Sequence, residues 1–298
     1  MSDPLPLREN PVFLQLLRGG CHASWRNWYR SPAAVGVIST LVITSIFAAG
    51  AWYIARETPA KMGEVLLGGA WILPMAVSFL TTLAMILAQS RSIPRCWANQ
   101  RMLDLVMTPL SSSDLMRGFF WGNMISWGIV VVAVCAISLP CALVGLALGG
   151  SAAMGEGFGA GGMLTGIVIY ISTIYYLISQ SVWAACITFH FATLQRSALT
   201  VQGLSLLITV IAAPIAVGAV RMFAMILFVW VSAALNYSPA GISMILIIGG
   251  VGYSGGGLLG ILLQTVKLAI AIWIYRSARR TFLTRVQRLW EKSTLVGN

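Results

Sequence analysis

The chain has 298 residues, of which 58% are hydrophobic and 9% charged, against roughly 25% charged in a soluble domain. Several apolar runs reach the roughly 20 residues that a helix needs to cross a ~30 Å hydrocarbon core, which excludes a soluble globular protein. The net charge of +11 does not mark a nucleic-acid binder, because the basic residues fall at the ends of apolar runs, where membrane topology requires them.

The first segment, 1–32, opens with polar residues and has no signal-peptide core, so the first span is expected to stay as an anchor. Asn10-Pro11 supplies an N-cap and a first-turn proline. Phe13, Leu17, Cys21, Trp25 and Tyr29 then recur every four residues, and Arg18, His22, Arg26 and Arg30 do so on the adjacent face. Apolar bodies at the acyl boundary with basic heads at phosphate level predict an interfacial amphipathic helix; a soluble helix packed on a partner is the other reading.

The spans are expected over about 33–55, 65–89, 119–148, 163–189, 199–220 and 257–275. Between the fifth and sixth lies an apolar region, 222–256, broken by Asn236-Tyr-Ser-Pro239 and by GGVGYSGGG. Each half is short for a crossing, so a pair of re-entrant helices is expected, with two full crossings as the alternative. The tail, 276–298, is basic, and its stripe of Phe282, Leu283, Val286, Leu289 and Trp290 suits a solvated or lipid-touching extension of the last span. The chain reads as one all-α membrane domain: interfacial helix 1–32, six-span core 33–275 and basic tail.

Segments 1–32, 90–117, the short connection at Arg196 and the tail hold 15 of the 19 basic residues. By the positive-inside rule both termini and the 90–117 loop are cytoplasmic, a parity that six crossings satisfy. The five cysteines form no CxxC pair and suggest neither disulfides nor a metal site.

Most motif matches fail on context. GVGYSG fits GxGxxG but leads into a membrane span, with no acid about 20 positions on. No Lys follows a Gly, so a phosphate-binding P-loop is lacking, and HExxH is also lacking. The spans are nearly bare of the ionisable groups an intramembrane enzyme needs, so no catalytic or metal-binding residue is assigned.

Lys267, near the middle of the last span, is the exception: it either packs or snorkels, or it serves transport. The fourth span is the most polar, and Tyr176, Ser179, Gln180 and Trp183 share one face by i,i+3/i+4 spacing. That face is either a hydrogen-bonded helix contact or the lining of a translocation path.

The loop between spans two and three reads LDLVMTPLSSSDLMRG. Pro109 ends the helix carrying Leu103, Leu105 and Val106, and forces Thr108 toward extended backbone. Ser111-Ser-Ser-Asp114 offers N-cap hydroxyls and a first-turn acid for a new helix. The expected product is a short helix, a break and a second helix at the membrane face, suited to docking a soluble partner.

Here the sequence resembles the ABC-2 type transporter permeases. Asn10-Pro-Val-Phe before an Arg-bearing helix is similar to their NPVL-type start, and the loop is similar to their TLELLLxTPLSxxEIxxGK coupling loop. ALNYSPAG, the glycine-rich gap and a last span ending IYRSARR fit that family's final third, so the resemblance covers nearly the whole chain. It departs at Asn99-Gln-Arg-Met102, where the family has an acidic-Gly-Thr run, and at Arg117-Gly118, where it has Gly-Lys.

The resemblance implies a non-enzymatic permease that pairs with a second permease, the same or related, and with separate ATP-binding subunits that hold ATP and Mg. They would act on the 90–117 loop, through Arg95, Arg101, Asp104, Thr108, Pro109 and Asp114. Export across a bacterial cytoplasmic (inner) membrane is the expected activity, with a non-transporting membrane scaffold as the rival.

Overall fold

A computed structural model of the chain describes residues 62–98, 101–107, 110–125, 160–194, 197–234 and 258–296, with separate positions between 6 and 56 and between 127 and 135. The side chains of Arg95, Arg101 and Arg221 lie outside that description, as do residues 15–37, 136–159 and 235–257. The described residues are almost entirely helical, with no strand among them.

Helix α1 spans Met62–Ala98 and α2 the short Arg101–Val106. Helix α3 covers 112–125. Helix α4 is Ala160–Leu194. A further helical run comprises α5, Ala198–Leu206, a π-helical turn Leu207–Ala212, and α6, Ala213–Ala234. Helix α7 is Leu258–Val296.

Four segments are long and apolar enough to cross a membrane: Met75–Pro94, Ile174–Leu194, Ala198–Val220 and Gly260–Glu291. They match the expected second, fourth, fifth and sixth spans. Of the first, positions between Ile38 and Arg56 are helical, and those described are exposed. The third is helical through 125 and at 127, 128, 131, 132 and 135.

Two expectations change. Residues 222–234 prolong the fifth helix without a break at Arg221, so they do not form a separate re-entrant half; the break motif at Asn236–Pro239 and the rest of that region lie outside the described residues. The reason is local: nothing between 213 and 234 after Pro214 interrupts an apolar, helix-compatible sequence.

The tail is the second. Helix α7 runs on to Val296, and part of its stripe is core rather than a solvated or lipid-touching extension: Phe282 is fully buried and Val286 nearly so, while Trp290 is exposed. At ~1.5 Å per residue, helices of 35 to 39 residues exceed a ~30 Å hydrocarbon core by about 25 Å, and the excess must be covered by protein or water.

The core accordingly concentrates at the end that carries the basic clusters. Helices α1 and α7 both pack along α4, while α5 packs on α1 and α4, and α2 on α1 and α7. Trp97 of α1, Phe120 of α3, Phe189 of α4, and Tyr275 and Phe282 of α7 form one aromatic cluster. Phe120 lies 4.5 Å from Tyr275 and 5.5 Å from Phe189, and Phe282 lies 6.1 Å from Phe189 and 6.5 Å from Trp97, centroid to centroid. Each such pair contributes about 0.5–1.5 kcal/mol beyond its buried area. Cys186 is buried in the same core and Cys135 in a smaller cluster with Val131 and Leu177, both as small apolar groups.

Candidate functional site

Two constructions carry the polar chemistry, one inside the spans and one at the basic end. Inside, Tyr176, Ser179, Gln180 and Trp183 occupy one face of α4, and the structure brings all four to Lys267 or its neighbours on α7. Lys267 donates a hydrogen bond to Gln180 Oε1. Its ammonium lies 5.7 Å from the ring centroids of both Tyr176 and Trp183, within cation–π range. Ser179 donates to Gln264 Oε1 at 2.7 Å. A turn further along, Tyr175 and Thr265 hydroxyls meet at 3.0 Å.

Lys267 is only 7% exposed. It lies nine residues before Arg276, a rise of roughly 13 Å, which places it near mid-depth of a ~30 Å core. A helical side chain leans toward its helix N-terminus, here away from the basic end. Lys267 is therefore held inside by Gln180 and two rings, and does not snorkel toward Arg276.

Gln180 also reaches the π-turn, donating from Nε2 to the Thr209 carbonyl at 3.2 Å. That carbonyl is available for a specific reason. The Ala213 N–H bonds five residues back to Ile208 O, so it is lost to Thr209, and the next residue, Pro214, has no N–H. Deprived of a donor in both the α and the π register, Thr209 O is satisfied from α4 instead. Trp183 Nε1 and Thr209 Oγ1 are buried and find no hydrogen-bond partner among the described residues.

The sequence pointed to five members of this node and missed Gln264 and Thr209. Gln264 was legible as a polar residue one turn before Lys267 in an apolar helix. Thr209 was not, because its role depends on a carbonyl freed by Pro214, five positions on.

At the basic end, α2 stops at Val106, ahead of Thr108 and Pro109, which lie outside the described residues. Helix α3 then starts from a reciprocal cap. The Asp114 N–H donates to Ser111 Oγ at 3.1 Å, while the Ser111 hydroxyl donates to Asp114 Oδ2 at 2.6 Å. Ser111 is thus the N-cap, and the Asp114 carboxylate in the third helical position accepts from the capping hydroxyl.

The N-terminal motif docks on it. Asn10 Oδ1 accepts from the Val12 N–H at 3.0 Å, capping the helix that begins at Pro11, and Asn10 Nδ2 donates to the Asp114 carbonyl at 2.7 Å. Asn10 and Val12 are buried, so this helix start packs against the protein. Phe13, Leu17, Arg18, Trp25, Arg26 and Arg30, the expected interfacial residues, lie outside the described residues. A Cβ on Gly118 would stand 2.8 Å from Val12 Cβ and 2.9 Å from Asn10 Oδ1, so only glycine permits this approach.

Of the expected coupling residues, Asp104 is exposed, as is Met107 beside it, whereas Asp114 is buried in the cap. Any influence of Asp114 on a partner would therefore pass through the position of α3. The backbones of Arg95 and Arg101 are helical, which puts Arg101 and Asp104 one turn apart. On the other side Arg285 donates to the Leu194 carbonyl at 2.9 Å, tying the tail to the C-terminus of α4. Among the described residues no group of His, Cys, Asp and Glu could hold a metal ion. Comparison with protein-family models, with curated proteins and with solved structures finds no match to this chain.

Proposed function

We propose that this chain is the membrane subunit of an ATP-driven transporter of the ABC-2 type, an exporter in a bacterial cytoplasmic membrane. It forms half of a translocation path with a second permease, and a separate ATP-binding subunit drives it. The observation that carries the reading is the loop of 101–118. A solvent-facing short helix bearing Asp104 is joined to a capped second helix, and both are anchored in the core between α1, α7 and the Asn10 motif. A connector would not need a helix cap built on a buried acid, Asp114, and a buried N-terminal clamp. A surface that receives mechanical force does, because force spreads into the spans only through packed contacts.

In this reading the Lys267 node belongs to the path, and the exposed apolar faces of the first span and of α5 and α6 meet lipid or the second permease. Tagged protein purified from its native membrane in mild detergent should bring down a chain with a GxxxxGK[ST] loop in stoichiometric amount. Recovery of non-nucleotide-binding partners alone would favour a membrane scaffold.

A further inference from the structure

Resting on the permease reading, we propose that the Lys267 node recognises the single anionic group, carboxylate or phosphate, of an amphiphilic cargo. None of the eight carboxylates of the chain lies between residues 157 and 290, so neither α4, α5, α6 nor α7 up to Trp290 offers Lys267 a counter-charge. Among the described residues, what faces it is one neutral acceptor, Gln180 Oε1, and two aromatic rings. A cation removed from water needs more than that to recover its hydration, and an anion supplies it.

The hydrogen-bond inventory gives the same sign. Gln180 Oε1 accepts from Lys267 and Gln264 Oε1 from Ser179, so both amide acceptors of the node are committed. An ammonium has three N–H groups, of which Gln180 takes one, and the buried Trp183 indole N–H has no partner among the described residues. The surplus is in donors, which match the oxygens of an anion.

A single cation fixes the charge at about one unit. The apolar body follows from the neighbourhood: Leu262, Val266 and Ile270 recur every four residues as an exposed stripe on α7, and Ile171 and Ile178 are exposed on α4. Such a surface accepts a hydrocarbon chain and rejects a compact hydrated ion.

Tryptophan quenching in phosphatidylcholine nanodiscs tests this with dibromostearate, whose bromines quench nearby indoles. Wild type should bind the acid and not its methyl ester. Lys267→Gln should bind at least about tenfold more weakly, the loss expected for one charge-assisted hydrogen bond, while Lys267→Arg keeps binding. The quenched component should vanish in Trp183→Phe. Equal binding of acid and ester, unchanged binding by Lys267→Gln, or quenching that persists in Trp183→Phe would overturn the proposal. Displacement of the acid by phosphatidylglycerol at bilayer abundance would overturn the cargo assignment in favour of a resident lipid. A chain that binds the acid but recruits no ATP-binding subunit overturns the permease reading alone. One that recruits the subunit and fails with the acid overturns only this inference.

Discussion

Gly118 is where two segments more than 100 residues apart come closest, and its missing side chain is what lets them meet. A methyl there must displace Val12 or tilt α3. Gly118→Ala should therefore cost about 1–3 kcal/mol, the usual range for overpacking a filled site. Gly128→Ala is the matched control: nothing lies within 4 Å of its Cβ position, so the change should be neutral or slightly stabilising by helix propensity. Asn10→Ala removes a cap and the bond to the Asp114 carbonyl, and should cost about 1–2 kcal/mol. Thermal unfolding in nanodiscs reads all three, and equal melting of the two alanine variants at 118 and 128 would refute the close approach. The cap of Asn10-Pro11 and the one at Ser111–Asp114 were legible in sequence, because capping is local chemistry. That the first docks on the second was not, since it depends on a glycine whose need shows only in three dimensions.

At the scale of elements, apolar length was enough to find α1, α4, α5 and α7, because a bilayer imposes its thickness on the sequence. It could not tell which apolar stripes beyond the membrane are core. Phe282 and Trp290 lie on the same tail stripe, yet Phe282 is fully buried and Trp290 is half exposed. Phe282→Ala should cost about 3–5 kcal/mol and Trp290→Ala under about 1 kcal/mol. Comparable losses in a denaturation series would mean that the tail does not pack as described. The π-turn was equally hidden, although its cause, Pro214, was in plain view. Pro214→Ala restores an N–H that can bond the Val210 carbonyl four residues back, in the α register. The turn should then relax toward α-helix, with slower hydrogen exchange over 207–214. Unchanged exchange there would show that the proline does not maintain the π-turn.

For the whole molecule, the distribution of charge orients the chain. With 15 of 19 basic residues in segments assigned to one side, a cysteine placed near Gly157 should be labelled from outside intact cells, and one near Ser112 should be protected. The reverse pattern would invert the path and put the loop of 101–118 beyond the reach of ATP. The geometry of that loop links the two constructions: α2 packs on α1 and α7, α7 carries Lys267, and α4 receives both Lys267 and the tail. Motion imposed on α2 would thus reach the node through packed helices rather than through a flexible connector.

The most direct test of that linkage is the ATPase activity of the complex isolated with wild-type protein and with the double variant Arg101→Ala, Asp104→Ala. Truncating one partner of an interfacial charge pair costs about 2–5 kcal/mol. The account therefore predicts that the double variant inserts normally but recovers far less ATP-binding subunit, or recovers it with hydrolysis no longer coupled to transport. A double variant that assembles fully, with wild-type stimulated ATPase activity and transport, would contradict it.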